Sequence, residues 1–331
     1  MIIYLFTFIL AFLLSLYLTP LFRKAALKFG IMDRPNGRLK KQSEPIPYLG
    51  GLAVYLSFLL TTGLIFEYSR EVLGILLAGA IIVILGLIDD LGVLSPGVKL
   101  LGQFIAALVL IKASIYIKLA ILPIWLSILL TIFWILAITN AFNLIDIMDG
   151  LASGIGAIAA VVLVIINYRG GKGLIVPLSI AMAGSLLGFL RYNFEPAKIY
   201  LGDTGSLFVG LMLAALSMNG SYTRVSILGV IAPIIMLGVP IFDMLLVIYI
   251  RFRRGIPIMR GSPDHFALRL RKWRLTVGQT VLLSYAAATI FGIVSLILIQ
   301  VSSLMVGLIA SVVLFVCLST GYYLKKVDMT L

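Results

Sequence analysis

Eleven runs of apolar residues recur along this chain, and few folds can hold them. They cover about 1–22, 48–66, 72–89, 98–117, 119–139, 151–167, 174–190, 207–219, 225–250, 279–298 and 303–323. A helix needs roughly 20 apolar residues to cross the hydrocarbon of a bilayer. Strands with open edges would leave backbone groups unpaired in lipid, so helices are the default. The spacing predicts an all-α, polytopic membrane bundle of about eleven spanning helices, or ten should one irregular segment within 98–139 or 225–250 not count. Composition agrees: 62% of the residues are hydrophobic and only 12% charged, against about 25% charged in soluble domains. No internal repeat or low-complexity stretch divides residues 1–331, which read as one domain. Pro233, Gly238 and Pro240 interrupt the segment at 225–250, which should be kinked or split.

Lysine and arginine set the orientation, because loops on the cytoplasmic side carry the excess. Of the 26 basic residues, twenty fall on one set of alternating loops: seven in 23–47, Lys99, Arg191, Lys198, eight in 251–274, Lys325 and Lys326. That places the N-terminus outside and the C-terminus inside. Eleven of the 13 acidic residues share this face; only Glu67 and Glu71 lie opposite. The net charge of +13 therefore speaks of lipid headgroups and topology rather than nucleic acid. The lone Cys317 excludes an internal disulfide and a cysteine metal site. Met1–Leu21 has no preceding basic residue and no small-residue cleavage pattern, so it reads as a first spanning helix rather than a cleaved signal.

Chemistry collects on that inner face. The stretch "TNAFNLIDIMDG" ends a long apolar run with Asn140, Asn143, Asp146 and Asp149. Carboxylates at membrane helix ends are costly unless paired, metal-bound or wet. Residues spaced by threes drift around an α-helix but align in a 3₁₀ turn or loop, so the helix should end inside this segment. Asn143 with a neighbouring carboxylate suits a hard cation such as Mg²⁺; helix capping and interfacial hydrogen bonding is the plainer alternative. Asp89 and Asp90 end the third run and repel each other unless a cation or proton sits near. Lys99 either meets a phosphate or marks the basic boundary. In "GDTGS", Asp203 is either a helix cap or a metal carboxylate beside a helix start that favours phosphate. His265, the only histidine, follows Asp264 in a basic loop suited to a diphosphate. Asp243 is expected to pair with Arg251 or Arg253. Small residues such as Gly184 and Gly188 can pack helices within the chain or between two copies of a homodimer.

Four motifs in this order on one membrane face, "GLIDD", "TNAFNLIDIMDG", "GDTGS" and a late basic loop with a histidine, resemble the polyprenyl-phosphate N-acetylhexosamine-1-phosphate transferases. The likeness runs from "DRPNGR" to "DHFALRLRK" and is nearest to bacterial transferases that move GlcNAc-1-phosphate from UDP-GlcNAc to undecaprenyl phosphate. It implies an enzyme of the bacterial cytoplasmic membrane that depends on Mg²⁺, with Mn²⁺ as a substitute. By position in the motifs, Asn143 and Asp203 look like metal ligands, and Asp89, Asp90 and Lys99 like catalytic residues. Asp146, Asp149, Tyr200, His265 and Arg38 look like substrate-binding residues, with Asp149 and Tyr200 at the uracil. Two positions depart from the pattern. Gln42 stands near a histidine of the first loop, and the last loop reads His265-Phe266-Ala267-Leu268 where relatives repeat histidine. The triple-histidine loop of the branch that uses UDP-MurNAc-pentapeptide is not found. From the residues alone, an ion-coupled transporter is the competing class.

Overall fold

A computed structural model describes residues 2–33, 45–92, 94–119, 121–171, 173–220, 222–223, 225–257, 263–327 and 329. Its helices are α1 (Ile2–Phe29), α2 (Gly50–Ile65), α3 (Arg70–Asp90), α4 (Pro96–Lys112), α5 (Ile124–Ile145), α6 (Leu151–Gly170), α7 (Ile175–Asn193), α8 (Gly202–Met218), α9 (Ala232–Met236), α10 (Gly238–Arg253), α11 (Phe266–Lys272), α12 (Val277–Leu298) and α13 (Ser303–Lys325). A 3₁₀ turn, Ile227–Ile231, leads into α9. The strands among the described residues are two antiparallel pieces, Met32–Asp33 and Ile46–Pro47. The fold is a helical membrane bundle, as the apolar periodicity requires.

Each apolar run became a helix or a bent pair, but not all reach spanning length. Among the described residues seven helices are long and apolar enough to cross a membrane, eight if the bent pair counts as one span, against the eleven or ten expected. The helices α2, α4 and α8 have only 16 or 17 residues, about 25 Å at 1.5 Å per residue. The expected kink is present: 227–236 and 238–253 meet at 73°. Pro240 has no N–H to offer the carbonyl of Met236, where α9 ends.

Helix α8 is the hub. It packs against α3, α5, α2 and α6, and from Thr204 to Ser217 every residue is buried. Its first turn carries Asp203, and its start lies five residues before the edge that hydropathy suggests. The polar residues there hid the helix from an apolar pattern. The same applies to α5, which continues through Asn140 and Asn143 to Ile145, and so ends inside the polar segment as expected. Because α3 and α5 run toward one end of the bundle while α4 and α8 start there, their polar tips meet.

Small residues permit the close approaches. A Cβ on Gly188 would fall 2.6 Å from the Phe12 carbonyl, and one on Gly184 would fall 2.8 Å from that of Phe8. The glycine pair therefore seats α7 on α1 within one chain. On α3, a Cβ at Gly86 would sit 2.5 Å from Thr204 Cα and 2.7 Å from the Asp203 carbonyl. These are backbone atoms of the first turn of α8 and cannot rotate away. Gly86→Ala is accordingly expected to cost about 1–3 kcal/mol, measured as a lowered melting temperature in detergent.

Candidate active site

Four helix ends converge on one ammonium group. Lys99 lies in the first turn of α4, which Ser95 caps and Pro96 opens. Its Nζ is 2.6 Å from Asp89 Oδ2, 2.7 Å from Asp203 Oδ2 and 3.0 Å from Asn143 Oδ1. Asn143 turns its amide nitrogen to Asp203 Oδ1 at 2.7 Å and to Ser206 Oγ at 3.0 Å. Asp89, Lys99, Asn143 and Asp203, which come from four separate helices, thus form one continuous cluster. The Lys99 and Asp89 side chains are about one-sixth exposed and that of Asp203 about one-third, so water reaches the carboxylates.

Asp90 faces the other way from its neighbour. Its Oδ1 accepts the backbone N–H of Asp203 at 2.7 Å, and its Oδ2 accepts the N–H and hydroxyl of Thr204 at 3.1 and 2.6 Å. It caps α8 from outside the helix. Of the two readings of Asp203, the cap is corrected: Asp203 sits inside the first turn, and the capping carboxylate belongs to Asp90. Gly202, at φ +71°, leaves the space; a Cβ there would touch Asp90 at 2.8 Å. The repulsion expected of the Asp89–Asp90 pair is relieved because one carboxylate meets an ammonium and the other meets amide hydrogens.

The four polar residues of the α5 segment divide in the same manner. Asn140 and Gln103 exchange amide bonds at 2.6 and 3.3 Å, a rung joining α5 to α4 one turn below Asn143 and Lys99. Asp149 accepts the N–H of Ala197 at 2.8 Å. Asp146, just past the end of α5, makes no hydrogen bond or ion pair among the described residues. Burial pushes its carboxyl well above the usual range, and the Asp203, Asp90 and Asp149 carboxylates push it the same way. Burial also raises Asp149, and the bond from Ala197 opposes that.

Short backbone pairings set the rim. Tyr200 N–H donates to Pro47, while Gly50 and Gly51 donate to Tyr200 and Leu201. This brings Tyr48 beside Tyr200, ring centres 6.3 Å apart and tilted at 52°. The Tyr48 hydroxyl donates to Asp33 Oδ1 at 2.7 Å. Burial holds both tyrosine hydroxyls protonated beyond their ordinary range. Asn193 accepts from Gly150 N–H and Ser153 and donates to Ile199, tying the α6 start to the segment before Tyr200. Asn193, Ser206, Tyr48 and Asp33 were not singled out from the sequence, although Ser206 and Asp33 lie in "GDTGS" and "DRPNGR", which were.

The basic loop has its own order. His265 Nδ1 is 2.7 Å from Asp243 Oδ2, and the Phe266 N–H meets Asp243 Oδ1 at 2.7 Å. Asp243 thus hydrogen-bonds His265, a partner the sequence did not suggest, while the expected Arg251 guanidinium also acts on it electrostatically; the backbone of α11 folds across it. Asp264 bonds Arg254 and Arg269, and Arg269 also reaches the Leu324 and Val327 carbonyls. Arg38 and Gln42 lie outside the described residues.

The donor set fits a hard divalent cation. Asp203 and Asn143 offer oxygens within one pocket, with Asp89 beside them. Mg²⁺ takes one or two carboxylates and completes its shell with water and substrate phosphate, so a full protein cage is not required. Among the described residues no three His, Cys, Asp or Glu side chains form one.

Fold and site together define a polytopic helical membrane protein with an acidic, lysine-bridged centre at one end of its bundle. The family model described as glycosyl transferase family 4 matches residues 72–221, the stretch that holds the whole Lys99 cluster. A probable undecaprenyl-phosphate N-acetylglucosaminyl 1-phosphate transferase of Bacillus subtilis is 37% identical, covering 88% of this chain and 84% of the relative. A decaprenyl-phosphate N-acetylglucosaminephosphotransferase of Mycobacterium leprae is 37% identical over 75% of this chain and 74% of its own. A phospho-N-acetylmuramoyl-pentapeptide-transferase of Halalkalibacterium halodurans is 33% identical over 81% and 90%. The chain belongs to the polyprenyl-phosphate N-acetylhexosamine-1-phosphate transferase family.

Two stability outcomes follow from the geometry. Asp90→Ala removes the cap of α8 and is expected to cost about 1–2 kcal/mol, whereas Asp89→Asn, which holds no backbone, leaves the melting temperature near that of the native protein. Asp146→Asn raises it at neutral pH. The unfolded chain ionises Asp146 near its ordinary pKa of about 3.9, while the fold holds the proton to higher pH. Native stability therefore falls as pH rises through that window, and the advantage of Asn disappears below about pH 4. Melting curves from acid to neutral pH, without divalent cations, measure it.

Proposed function

We propose that the protein transfers an N-acetylhexosamine 1-phosphate, GlcNAc-1-phosphate foremost, from a UDP-sugar to undecaprenyl phosphate and releases UMP. One observation carries the reading. The Lys99 ammonium sits between the Asp89 and Asp203 carboxylates at the end of an apolar bundle, with Asp90 on the backbone of Asp203 and Asp146 within electrostatic reach of Asp203. Such a site attracts phosphates only when further positive charge enters with them. The family relationship and the printed activities of the relatives support the same conclusion.

In this mechanism a non-bridging oxygen of the lipid phosphate attacks the sugar-bearing phosphorus. A new P–O–P linkage forms, the bond to UMP breaks, and UMP leaves with the electron pair. Protein work is alignment and charge neutralisation. Lys99 meets the phosphate oxygens in place of one of its present partners. Asp89 orients the acceptor phosphate or takes the proton of its monoanion; near neutral pH this phosphate, with a second pKa of about 6, is largely dianionic, so strong base catalysis is not demanded. Asp90 holds the first turn of α8, and hence Asp203, in register. Asp149 and Tyr200 receive the uracil, with Asp146 beside them, and His265 serves the diphosphate and sugar; by the family resemblance Arg38 is assigned to the same substrate. Asp203 and Asn143 would hold Mg²⁺ or Mn²⁺, which neutralises diphosphate charge and stabilises the leaving UMP.

The alternation of basic and non-basic loops along the sequence supports a cytoplasmic active site in the bacterial inner membrane, with the N-terminus outside and the C-terminus inside. There a prenyl tail remains in lipid while its phosphate meets a soluble nucleotide. A transporter would instead place its acidic groups near mid-membrane.

UMP release by purified protein in detergent, scored over a panel of UDP-sugars, tests the reading. Release requires prenyl phosphate, disappears with a chelator and returns with Mg²⁺. Asp203→Asn lowers it at least about 100-fold, the loss typical of a group that stabilises transition-state charge, and keeps the native melting temperature. Solute uptake by vesicles without UMP release would favour the transporter. Inversion at phosphorus marks direct displacement; retention marks a phospho-aspartate.

A further inference from the structure

The Asp243–His265 pair joins the bent span to the basic loop, and its hydrogen bonds leave only one arrangement of protons. Asp243 is fully buried on α10, and His265 is 5% exposed. Asp243 Oδ1 is occupied by the Phe266 backbone N–H, a donor that cannot become an acceptor. Asp243 Oδ2 faces His265 Nδ1 at 2.7 Å. An ionised carboxylate only accepts, so Nδ1 carries the proton whether the ring is neutral or charged. The neighbouring charges are already committed: Arg254 and Arg269 bond Asp264, and the Arg251 guanidinium acts on both Asp243 and Asp264. Among the described residues Nε2 makes no hydrogen bond, and it is not one of the polar atoms sealed from water without a partner.

We infer that Asp243 is a positioning residue for the transfer reaction. It locks the His265 ring with Nδ1 protonated, so that Nε2 is held in one orientation toward the nucleotide sugar. A carboxylate behind an imidazole fixes tautomer and orientation. The inference deepens, and rests on, the transferase reading. It gives Asp243 a task in an activity whose motifs do not include it.

Asp243→Asn is the decisive variant, because it keeps the shape and inverts the logic. The Phe266 N–H holds the amide oxygen. The amide NH₂ then points at Nδ1 and requires a lone pair there, which drives the ring proton to Nε2. His265 is the only histidine in the chain, so ¹⁵N-histidine labelling reads this ring without assignment. The native protein is expected to show a protonated Nδ1 and Asp243→Asn an unprotonated one. kcat/KM for the UDP-sugar is expected to fall roughly 10–100-fold, as when the partner that orients a functional histidine is lost. Asp243→Asn combined with His265→Ala is expected to fall no further than His265→Ala alone. If Asp243→Asn fails to fold, His265→Asn gives a second test: its amide nitrogen can keep the bond to Asp243 while the Nε2 position is missing, so it should melt like the native protein and lose as much activity as His265→Ala. A protonated Nδ1 in Asp243→Asn, a double variant weaker than His265→Ala, or full turnover by His265→Ala or His265→Asn would overturn the inference while the transferase reading stands. Native protein that releases no UMP from any UDP-sugar would fail that reading and the substrate role of the pair with it.

Discussion

Everything at the polar end of this bundle is arranged around the ammonium of Lys99. It sits against oxygens from α3, α5 and α8 while its own backbone belongs to α4. Without a positive charge there, Asp89 and Asp203 would repel across the space that Asn143 spans. With it, four helix ends share one electrostatic centre, and each helix has a reason to stop where it does. Such charges are tolerated at the edge of an apolar bundle because each is paired or wet. The same group holds the site in a form that an entering phosphate or divalent cation can take over.

Around that centre the protein separates support from chemistry by using similar residues in different surroundings. Adjacent Asp89 and Asp90 differ because one meets an ammonium and the other meets amide hydrogens of α8. Asn140 and Asn143, one turn apart, differ because one bonds Gln103 and the other bonds Asp203. The strained member is Asp146, whose charge has no partner among the described residues. A site that lowers its own stability in this way follows the usual exchange of stability for activity.

Much of the fold was legible before any coordinates. Apolar runs of spanning length can be buried only as helices in lipid, and Pro240 could only break the span that carries it. The gathering of "GLIDD", "TNAFNLIDIMDG" and "GDTGS" at one end could be read from the alternation of runs and basic loops. Helix edges were less legible wherever function intruded. Hydropathy stops at polar residues, but α5 and α8 continue through Asn143 and Asp203 because tertiary partners satisfy those side chains.

By itself, then, the sequence determined a membrane helical bundle, its bend, and the set of polar residues that reach one face, because these depend on composition and periodicity along the chain. Only the tertiary structure decided which carboxylate caps and which meets Lys99, that Gly184 and Gly188 serve α1, and that Asp243 hydrogen-bonds His265. Those choices depend on distances between groups tens of residues apart. A side chain's partner is set by which helix faces it, and no local pattern carries that information.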